Sequence, residues 1–280
     1  MDGFPSPAGL PPAFFVVVIA IFGGLVGSFL NVVIHRVPLK RSIVTPRSAC
    51  PSCGALIRWY DNFPVVSWLA LRARCRACKA RISARYPLVE LMTSALFVGV
   101  WYRFGLAPHT FVYMGLVAVF VALTFIDIDH RIIPNVISLP GMVIGLLLSF
   151  VLPRVPGAAL PPYWLNSVVG LLLGGGVLYA TNEIYYRVRG VDGMGMGDVK
   201  MLGMIGAFLG AWPTLPFVIF VSAIGGTAIG IVVMILSGQG RKTAIPFGPF
   251  LALAATLYLF IGPEVMELYM QTIPSSPPPA

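Results

Sequence analysis

Charged side chains are scarce in this sequence. Only 10% of its 280 residues are charged, against about 25% in an average soluble protein, while 58% are hydrophobic. This balance excludes a soluble single domain. The chain also lacks long polar low-complexity tracts, because its 30 glycines and 25 prolines interrupt apolar runs, and this excludes general disorder. The sequence therefore predicts a membrane protein with several spans.

The apolar runs lack the alternating polar positions of a transmembrane β-strand, which favours helices. A helix needs about 20 apolar residues to cross a bilayer. Eight runs approach this length, at residues 14–34, 87–102, 110–126, 132–152, 164–181, 199–211, 217–236 and 245–261. The sixth is short and stops near Pro213 and Pro216, so we expect it to tilt, continue irregularly or lie within protein. The predicted fold is an all-α polytopic membrane protein with about eight transmembrane helices.

Lysine and arginine are nearly absent from one set of loops. Eight spans place residues 35–85, 127–135, 182–200 and 237–244 on one side, and these segments carry 17 of the 19 Lys and Arg residues. We predict that this face is cytoplasmic, because cytoplasmic loops are enriched in cations. The net charge of +9 is then explained by topology and contact with anionic lipid, and no nucleic-acid partner is expected. A cleaved signal peptide begins with a positively charged segment, but no Lys or Arg precedes the first run. We therefore expect this run to be retained as a helix.

All four cysteines lie in the first predicted cytoplasmic segment, as two CxxC pairs with 21 residues between them. The pairs are Cys50 with Cys53 and Cys75 with Cys78. Four thiolates complete a tetrahedral shell, so these pairs predict a zinc site of the zinc-ribbon type. Disulfides and chance are the alternatives, and a reducing cytoplasm disfavours disulfides. Because a segment of about 50 residues with few aliphatic side chains builds little core, we expect the metal to be structural.

Acidic residues number only ten, and two motifs place them next to apolar runs. Asp127-Ile-Asp129 ends the third run, and Asp198 begins the sixth, so the predicted topology places both motifs at one membrane depth. Acidic groups at this depth are costly, and their default interpretation is functional. Asp127 and Asp129 point about 200° apart on a helix. We select Asp127 because it directly follows the apolar run.

Glycines precede Asp198 at positions 193, 195 and 197, where they allow the backbone to turn sharply or to approach a neighbouring chain or substrate. A helix starting at Asp198 favours its ionised carboxylate, while a second nearby carboxyl favours one protonated member. Such a pair can act as base and acid in aspartic proteolysis, without a Ser or Cys nucleophile. The alternatives are a helix ending in interfacial acids and a glycine loop capped by an aspartate.

Five motifs in one order resemble the bacterial type IV prepilin leader peptidase/N-methyltransferases, which are GxGD-class intramembrane aspartic proteases. The motifs are Gly27-Ser-Phe-Leu-Asn-Val-Val-Ile-His-Arg36, the paired CxxC knuckles, Arg85-Tyr-Pro-Leu-Val-Glu90, Asp127-x-Asp-x-x-x-x-Pro134 and Gly195-x-Gly-Asp-x-Lys200. The resemblance implies an inner-membrane enzyme with its active site at the cytoplasmic face. Such enzymes cleave the basic leader of type IV prepilins and type II secretion pseudopilins after a glycine, and then methylate the new N-terminus with S-adenosylmethionine.

The family's catalytic aspartates fall on Asp127 and Asp198, and Gly195 and Gly197 belong to the predicted substrate loop. Its metal ligands fall on Cys50, Cys53, Cys75 and Cys78, as in the bifunctional enzymes of the family.

The methyl-donor site is unassigned, because no glycine-rich Rossmann fingerprint follows a predicted strand. Glu90 is one candidate residue for the methyl-transfer step. The alternative is that Glu90 is only a charge at the end of a helix, paired with Arg85 or another neighbour. Lys200 is expected to point towards headgroups or a substrate backbone.

The predicted domains are an N-terminal transmembrane helix (1–34), a zinc-binding loop domain associated with methyltransferase activity (35–85), a transmembrane peptidase domain (86–265) and a disordered tail (266–280). Three other functions are considered. They are a proton-coupled transporter with paired acids, a zinc-stabilised scaffold of a secretion machine, and a GxGD protease with another helical substrate and no methyltransferase activity.

Overall fold

Helices dominate the computed structural model, which describes residues 11–151, 163–190, 195–237 and 245–272. Within these residues, β-structure is limited to two isolated bridges. The helices are α1 (Pro12–Arg36), α2 (Val66–Ala70), α3 (Arg85–Phe104), α4 (Pro108–His130), α5 (Asn135–Val151), α6 (Tyr163–Arg189), α7 (Met196–Leu209), α8 (Thr214–Ser237) and α9 (Gly248–Thr272). A short 3-10 helix, Trp59–Asn62, precedes α2.

Eight helices in the described ranges are long, and each coincides with one of the eight predicted apolar runs. Five of them, α1, α4, α6, α8 and α9, are long and apolar enough to cross a bilayer. The predicted all-α class is confirmed, and the chain is an integral membrane protein. The count of eight crossings stays a prediction.

The last helix is longer than the sequence predicts. The predicted disordered tail begins at residue 266, whereas α9 continues to Thr272. Residues 264–272 include Glu, Met, Leu and Gln, which favour helix, and the next proline is Pro274. The prediction of disorder is therefore wrong for 266–272, and residues 273–280 lie outside the described ranges.

The chain divides into two compact units, Met1–His130 and Arg131–Ala280. This division falls inside the region predicted as the peptidase domain, and the predicted functional division stays a prediction. In the first unit α1 packs against α3 through glycines. A Cβ built on Gly27 would lie 2.7 Å from the Cα of Glu90, and one on Gly23 would lie 2.7 Å from the Cα of Ser94. Small residues permit this close approach of helices.

Two hydrogen bonds also join α1 and α3. Asn31 Nδ2 donates to the Tyr86 carbonyl at 3.1 Å. Ser94 Oγ donates to the Ala20 carbonyl at 2.8 Å. The two helices are therefore held by backbone proximity and by side chain to backbone hydrogen bonds.

In the second unit, α7 is enclosed by other helices. Nine of its 14 residues are buried, and it contacts α5, α6, α8 and α9. Gly206 of α7 lies against the backbone of Gly170 in α6, with no room for a Cβ on either residue. Helix α7 corresponds to the short sixth apolar run, which was expected to tilt, to continue irregularly or to lie within protein. The last of these expectations is confirmed. Because α7 carries Asp198 in its first turn, this packing fixes the helix on which that carboxylate lies.

Substituting Gly27 by alanine should lower the melting temperature of the protein in detergent. The added Cβ would meet the α3 backbone at 2.7 Å, and such overpacking costs about 1–3 kcal/mol. Gly115→Ala in α4 is the matched control, because its Cβ would meet no atom within 4 Å. Alanine is favoured over glycine in a helix by about 1 kcal/mol, so this control should be neutral or stabilising. Equal effects of the two substitutions would contradict the close approach of α1 and α3.

Candidate active site and metal centre

Asp127 lies in the last turn of α4 and is 5% exposed. It follows Ile126, the last residue of a buried apolar run. Asp129 behaves differently, since its carboxylate is partly exposed and forms an ion pair with Arg85 at 2.6 Å. The structure therefore separates the two acids as the sequence predicts, with Asp127 in the interior and Asp129 at the surface.

Asp198 lies in the first turn of α7 and is half-buried. Its N–H donates to the Gly195 carbonyl at 3.1 Å. A Cβ on Gly195 would lie 3.7 Å from Asp198 Oδ2, so the carboxylate folds back over the start of the helix. This position confirms the expectation that Asp198 opens a helix. The helix N-terminus stabilises negative charge at this site.

The glycines of the second motif differ in their surroundings. A Cβ on Gly197 would lie 3.0 Å from the Cβ of Ile133, so this glycine permits the predicted close approach of a neighbouring segment. Gly195 has φ −69° and ψ 134°, which any residue can adopt. The backbone at Gly195 itself is therefore extended, and a sharp turn elsewhere in this glycine loop stays a prediction. Gly193 lies outside the described residues.

Lys200 also connects α7 to the first residue of α5. Its Nζ donates to Asn135 Oδ1 at 2.8 Å. This bond uses one of the three donors of the ammonium group at an exposed position, and the expectation that Lys200 points towards headgroups or a substrate backbone stays a prediction. Asn135 and Ile133 were not predicted as part of the site. Their position beside Pro134, just before α5, is the sequence signal that could have identified them.

The four cysteines meet in the segment between α1 and α3, which we call the cysteine lobe (residues 37–84). Their sulfur atoms all lie within 4.8 Å of one another. The Cys50 and Cys78 sulfurs are 3.8 Å apart, and this equals the edge of about 3.8 Å for a tetrahedron with Zn–S bonds of about 2.3 Å. None of the four forms a disulfide. The arrangement fits a tetrahedral metal ion.

Elsewhere in the described ranges, no other group of three or more His, Cys, Asp or Glu side chains is close enough to share a metal ion. The four predicted metal ligands are therefore brought together.

The first knuckle of the cysteine lobe is a tight turn around Cys50 and Cys53. The Cys50 N–H donates to the Ala55 carbonyl at 2.9 Å, and the Gly54 N–H donates to the Cys50 carbonyl at 2.8 Å. Gly54 adopts φ +71°, in the left-handed region that favours glycine. An isolated antiparallel bridge from Ala49 to Leu56 closes the turn.

The second knuckle repeats these bonds 25 residues later. The Cys75 N–H donates to the Ala80 carbonyl at 2.8 Å, and the Lys79 N–H donates to the Cys75 carbonyl at 3.0 Å. Lys79 adopts φ +61° at the position equivalent to Gly54. The bridge here joins Arg74 to Arg81. Two turns of the same geometry thus present two thiols each to one centre, which is the arrangement of a zinc ribbon.

An ion pair joins the second knuckle to the 3-10 helix. Arg76 donates to the Asp61 carboxylate through Nε at 2.9 Å and Nη2 at 2.6 Å. This hydrogen bonding lowers the pKa of Asp61 below its ordinary value. Since Arg76 lies between Cys75 and Cys78, the bidentate pair helps to orient the turn that carries these thiols.

The thiols of the first knuckle have divergent acidities. Backbone hydrogen bonds from Ser52 and Cys53 lower the pKa of the Cys50 thiol to about 6. At Cys53 the backbone hydrogen bond from Ala55 acts in the same direction, but contact with the Cys78 thiol and burial outweigh it and raise the pKa of Cys53 to about 11.

In metal-free protein at pH 7, Cys50 should therefore react with iodoacetamide before Cys53. The thiolate is the nucleophile, and at this pH Cys50 lies above its pKa whereas Cys53 lies below its own. We expect initial rates that differ by at least about tenfold, followed by peptide mass spectrometry over time. Zinc-loaded protein should protect both thiols. Equal rates in the metal-free protein would contradict the local hydrogen bonding.

Glu90 occupies a buried position at the contact between α3 and the cysteine lobe. Its Oε2 accepts a hydrogen bond from the Val65 N–H at 2.8 Å, and Val65 is held at φ +60°, which a β-branched residue rarely adopts. The predicted alternative of a pair with Arg85 is wrong, because Arg85 binds Asp129 instead. Glu90 pairs with another neighbour, so its carboxylate links α3 to the residue that precedes α2. Its proposed role in methyl transfer receives no support from this contact.

Comparison with known proteins agrees with these features. Residues 21–104 match the bacterial peptidase A24 N-terminal domain, and residues 114–231 match the type IV leader peptidase family. No solved structure matches the chain.

Three relatives carry the name prepilin leader peptidase/N-methyltransferase. The protein of Pseudomonas putida is 36% identical over 94% of this chain and 96% of its own length. That of Aeromonas salmonicida strain A449 is 37% identical over 95% and 97%, and that of Stutzerimonas stutzeri is 37% identical over 93% and 95%. Because both matched regions and these near full-length similarities agree, the chain belongs to the type IV leader peptidase family.

Proposed function

We propose that the chain is a bifunctional enzyme of the bacterial inner membrane. It cleaves the leader of type IV prepilins and type II secretion pseudopilins after a glycine, and it then methylates the new N-terminal amine. Its active site lies at the cytoplasmic face, because the loops predicted on that side hold 17 of the 19 Lys and Arg residues. The names of the relatives support both activities.

The observation that carries this proposal is the packing of residues 133–135, which follow the acids of the first motif, against the start of α7. Ile133, which follows Asp127 in the first motif, lies against Gly197 of the second motif. Asn135 accepts a hydrogen bond from Lys200, two residues after Asp198. These contacts bring the first motif's downstream segment to the start of α7. They support the assignment of Asp127 and Asp198 to one catalytic pair.

In this pair Asp198 is the base. The start of α7 stabilises its negative charge, and its carboxylate takes a proton from water. The oxygen of that water attacks the carbonyl carbon of the glycine that precedes the scissile bond, while Asp127, which holds the shared proton, donates it to the carbonyl oxygen. When the tetrahedral intermediate collapses, Asp198 gives the proton that it took from water to the leaving nitrogen and the C–N bond breaks. Asp127 takes back a proton from a hydroxyl of the intermediate, which restores the starting pair. Because two coupled carboxyls titrate as a unit, this assignment describes the reactive form of the pair.

The membrane setting fits a helical substrate. A prepilin is held in the bilayer by an apolar helix, with its basic leader in the cytoplasm, so its cleavage site lies near the cytoplasmic interface. Gly195 leaves open space beside Asp198, since a Cβ there would meet no atom closer than 3.7 Å. An extended scissile segment can approach the carboxylate at this point.

Zinc is the metal proposed for the cysteine lobe. Cys50, Cys53, Cys75 and Cys78 would hold it, and their sulfur geometry fits a closed tetrahedral shell that stabilises the fold. S-adenosylmethionine is the proposed methyl donor, and it would supply an electrophilic methyl group to the new amine. The residues that bind this donor are unassigned.

Membranes containing the protein should convert a synthetic prepilin to a product whose mass is lower by that of the leader. Addition of S-adenosylmethionine should then raise the product mass by one methyl group. Cleavage without methylation would contradict the proposed methyltransferase activity and leave the peptidase activity standing. Absence of cleavage for prepilins and pseudopilins alike, with a different helical protein cut instead, would point to another GxGD protease.

A further inference from the structure

Arg85 makes three contacts with the last turns of α4. Its Nη1 donates to Asp129 Oδ1 at 2.7 Å and lies 2.6 Å from Asp129 Oδ2. Its Nη2 donates to the Phe125 carbonyl at 3.2 Å. The guanidinium carbon also lies 4.8 Å from the centre of the Phe125 ring. The planar donor fork of arginine suits this combination of carboxylate, carbonyl and aromatic contacts, which a lysine cannot make together.

These contacts lie on one face of α4. Phe125 and Asp129 are four residues apart and therefore about 40° apart around the helix, whereas Asp127 is two residues from each and about 200° away. Arg85 thus holds the face opposite to Asp127. The exposures agree with this arrangement, since the Asp129 side chain is 31% exposed and Asp127 is 5% exposed.

The backbone of Arg85 is held in place by the packing of α3 against α1. Arg85 is the first residue of α3, and α3 is held against α1 by the contact of Gly27 with Glu90. A cation at the carboxyl end of α4 also complements the helix dipole there. The end of α4 is therefore attached through one side chain to a well-packed pair of helices.

We infer that Arg85 is a positioning residue for leader cleavage, and that it sets the orientation of Asp127 by holding the Phe125 carbonyl and the Asp129 carboxylate on the opposite face of α4. This inference rests on the proposed function, in which Asp127 belongs to the catalytic pair. Arg85 touches neither substrate nor reacting atoms in this role. Its loss should allow the last turn of α4 to rotate or fray, which misplaces the Asp127 carboxyl.

The test is steady-state cleavage of a prepilin by the zinc-loaded, full-length protein in detergent. Arg85→Gln should lower kcat by about tenfold to a hundredfold, because small displacements of a catalytic group have effects of this size. KM for the prepilin should stay within about twofold, since no binding contact is lost. Asp129→Ala should lower kcat as well, and Arg85→Gln combined with Asp129→Ala should be no worse than Arg85→Gln alone.

Arg187→Gln is the matched control, because Arg187 forms a comparable surface ion pair with Glu183 at 2.9 Å but lies in α6. It should leave kcat unchanged. All rates are normalised to folded protein, judged by zinc content and thermal unfolding, so a purely stabilising role for Arg85 would leave kcat unaltered and would overturn the inference. If Arg85→Gln fails to fold, Asp129→Ala decides the matter, and an unchanged kcat in that variant likewise overturns it.

Asp127→Asn, assayed in parallel, distinguishes a failure of the role of Arg85 from a failure of the proposed function. Full activity of Asp127→Asn would contradict the proposed function itself. An inactive Asp127→Asn together with an unchanged kcat for Arg85→Gln would leave the proposed function standing and overturn only the role of Arg85.

Discussion

Leader cleavage should fall by at least about a hundredfold when Asp198 is replaced by asparagine, and by a similar factor for Asp127→Asn. An amide can neither accept the proton of water nor donate one to the oxyanion at neutral pH. Asparagine preserves the size of the side chain, and it is also compatible with the start of a helix, so α7 should keep its position. The measurement is the initial rate of leader release from a prepilin, followed by mass spectrometry in membranes with matched enzyme content.

Glu183→Gln provides the control for a general effect of removing an acid. Glu183 lies on an exposed part of α6 and pairs with Arg187 in the same helix. Its substitution should change the cleavage rate by less than about twofold, because exposed pairs contribute little. Complete cleavage by Asp198→Asn would remove Asp198 from the catalytic pair, even if Asp127→Asn were inactive.

Loss of the metal centre is expected to have an equally large effect on methylation of the new N-terminus. Replacement of Cys50 and Cys75 by serine removes one thiolate from each knuckle. Bound zinc should fall from one ion per chain to a trace, since structural zinc sites supply about 10–16 kcal/mol and depend on their full ligand set. We expect methylation to be lost while leader cleavage is retained, because Asp127 and Asp198 lie outside the cysteine lobe.

Ser52→Ala tests whether any change in a knuckle has this effect. Ser52 lies between the two cysteines of the first knuckle and is exposed, so its substitution should preserve both zinc and methylation. Metal analysis by mass spectrometry and the mass of the processed pilin provide the two readouts. Retention of zinc in the cysteine double variant would refute the metal site, and retention of methylation without zinc would separate the cysteine lobe from that activity.

The positions of the membrane helices were largely predictable from the sequence. Apolar runs of sufficient length leave few alternatives to helix in a bilayer, and Asp127 and Asp198 are found at the helix ends where their motifs predict them. The cysteine cluster was predictable for a related reason, because the spacing of a CxxC pair is set by the geometry of one turn. In each case the structure follows from chemistry within a short stretch of chain.

The unpredicted contacts join segments that are distant in sequence. Arg85 binds Asp129 across 44 residues, and Lys200 binds Asn135 across 65 residues. Glu90 binds the Val65 N–H only because the chain between α1 and α3 folds back onto these helices. Periodicity and spacing contain no information on such partners, and several were equally plausible for each charge. Tertiary packing selects one of them.

The register of α1 against α3 has a consequence for the history of the cysteine lobe. Gly23 lies against Ser94, Gly27 against Glu90, and Asn31 is bonded to Tyr86. Each step of four along α1 is a step of four backwards along α3, so the helices form an antiparallel hairpin whose tip is occupied by the lobe. The two connections of the lobe therefore emerge side by side. The entropy cost of closing a loop rises only with the logarithm of its length. A segment of this size can therefore be inserted or deleted between α1 and α3 without changing how these two helices pack.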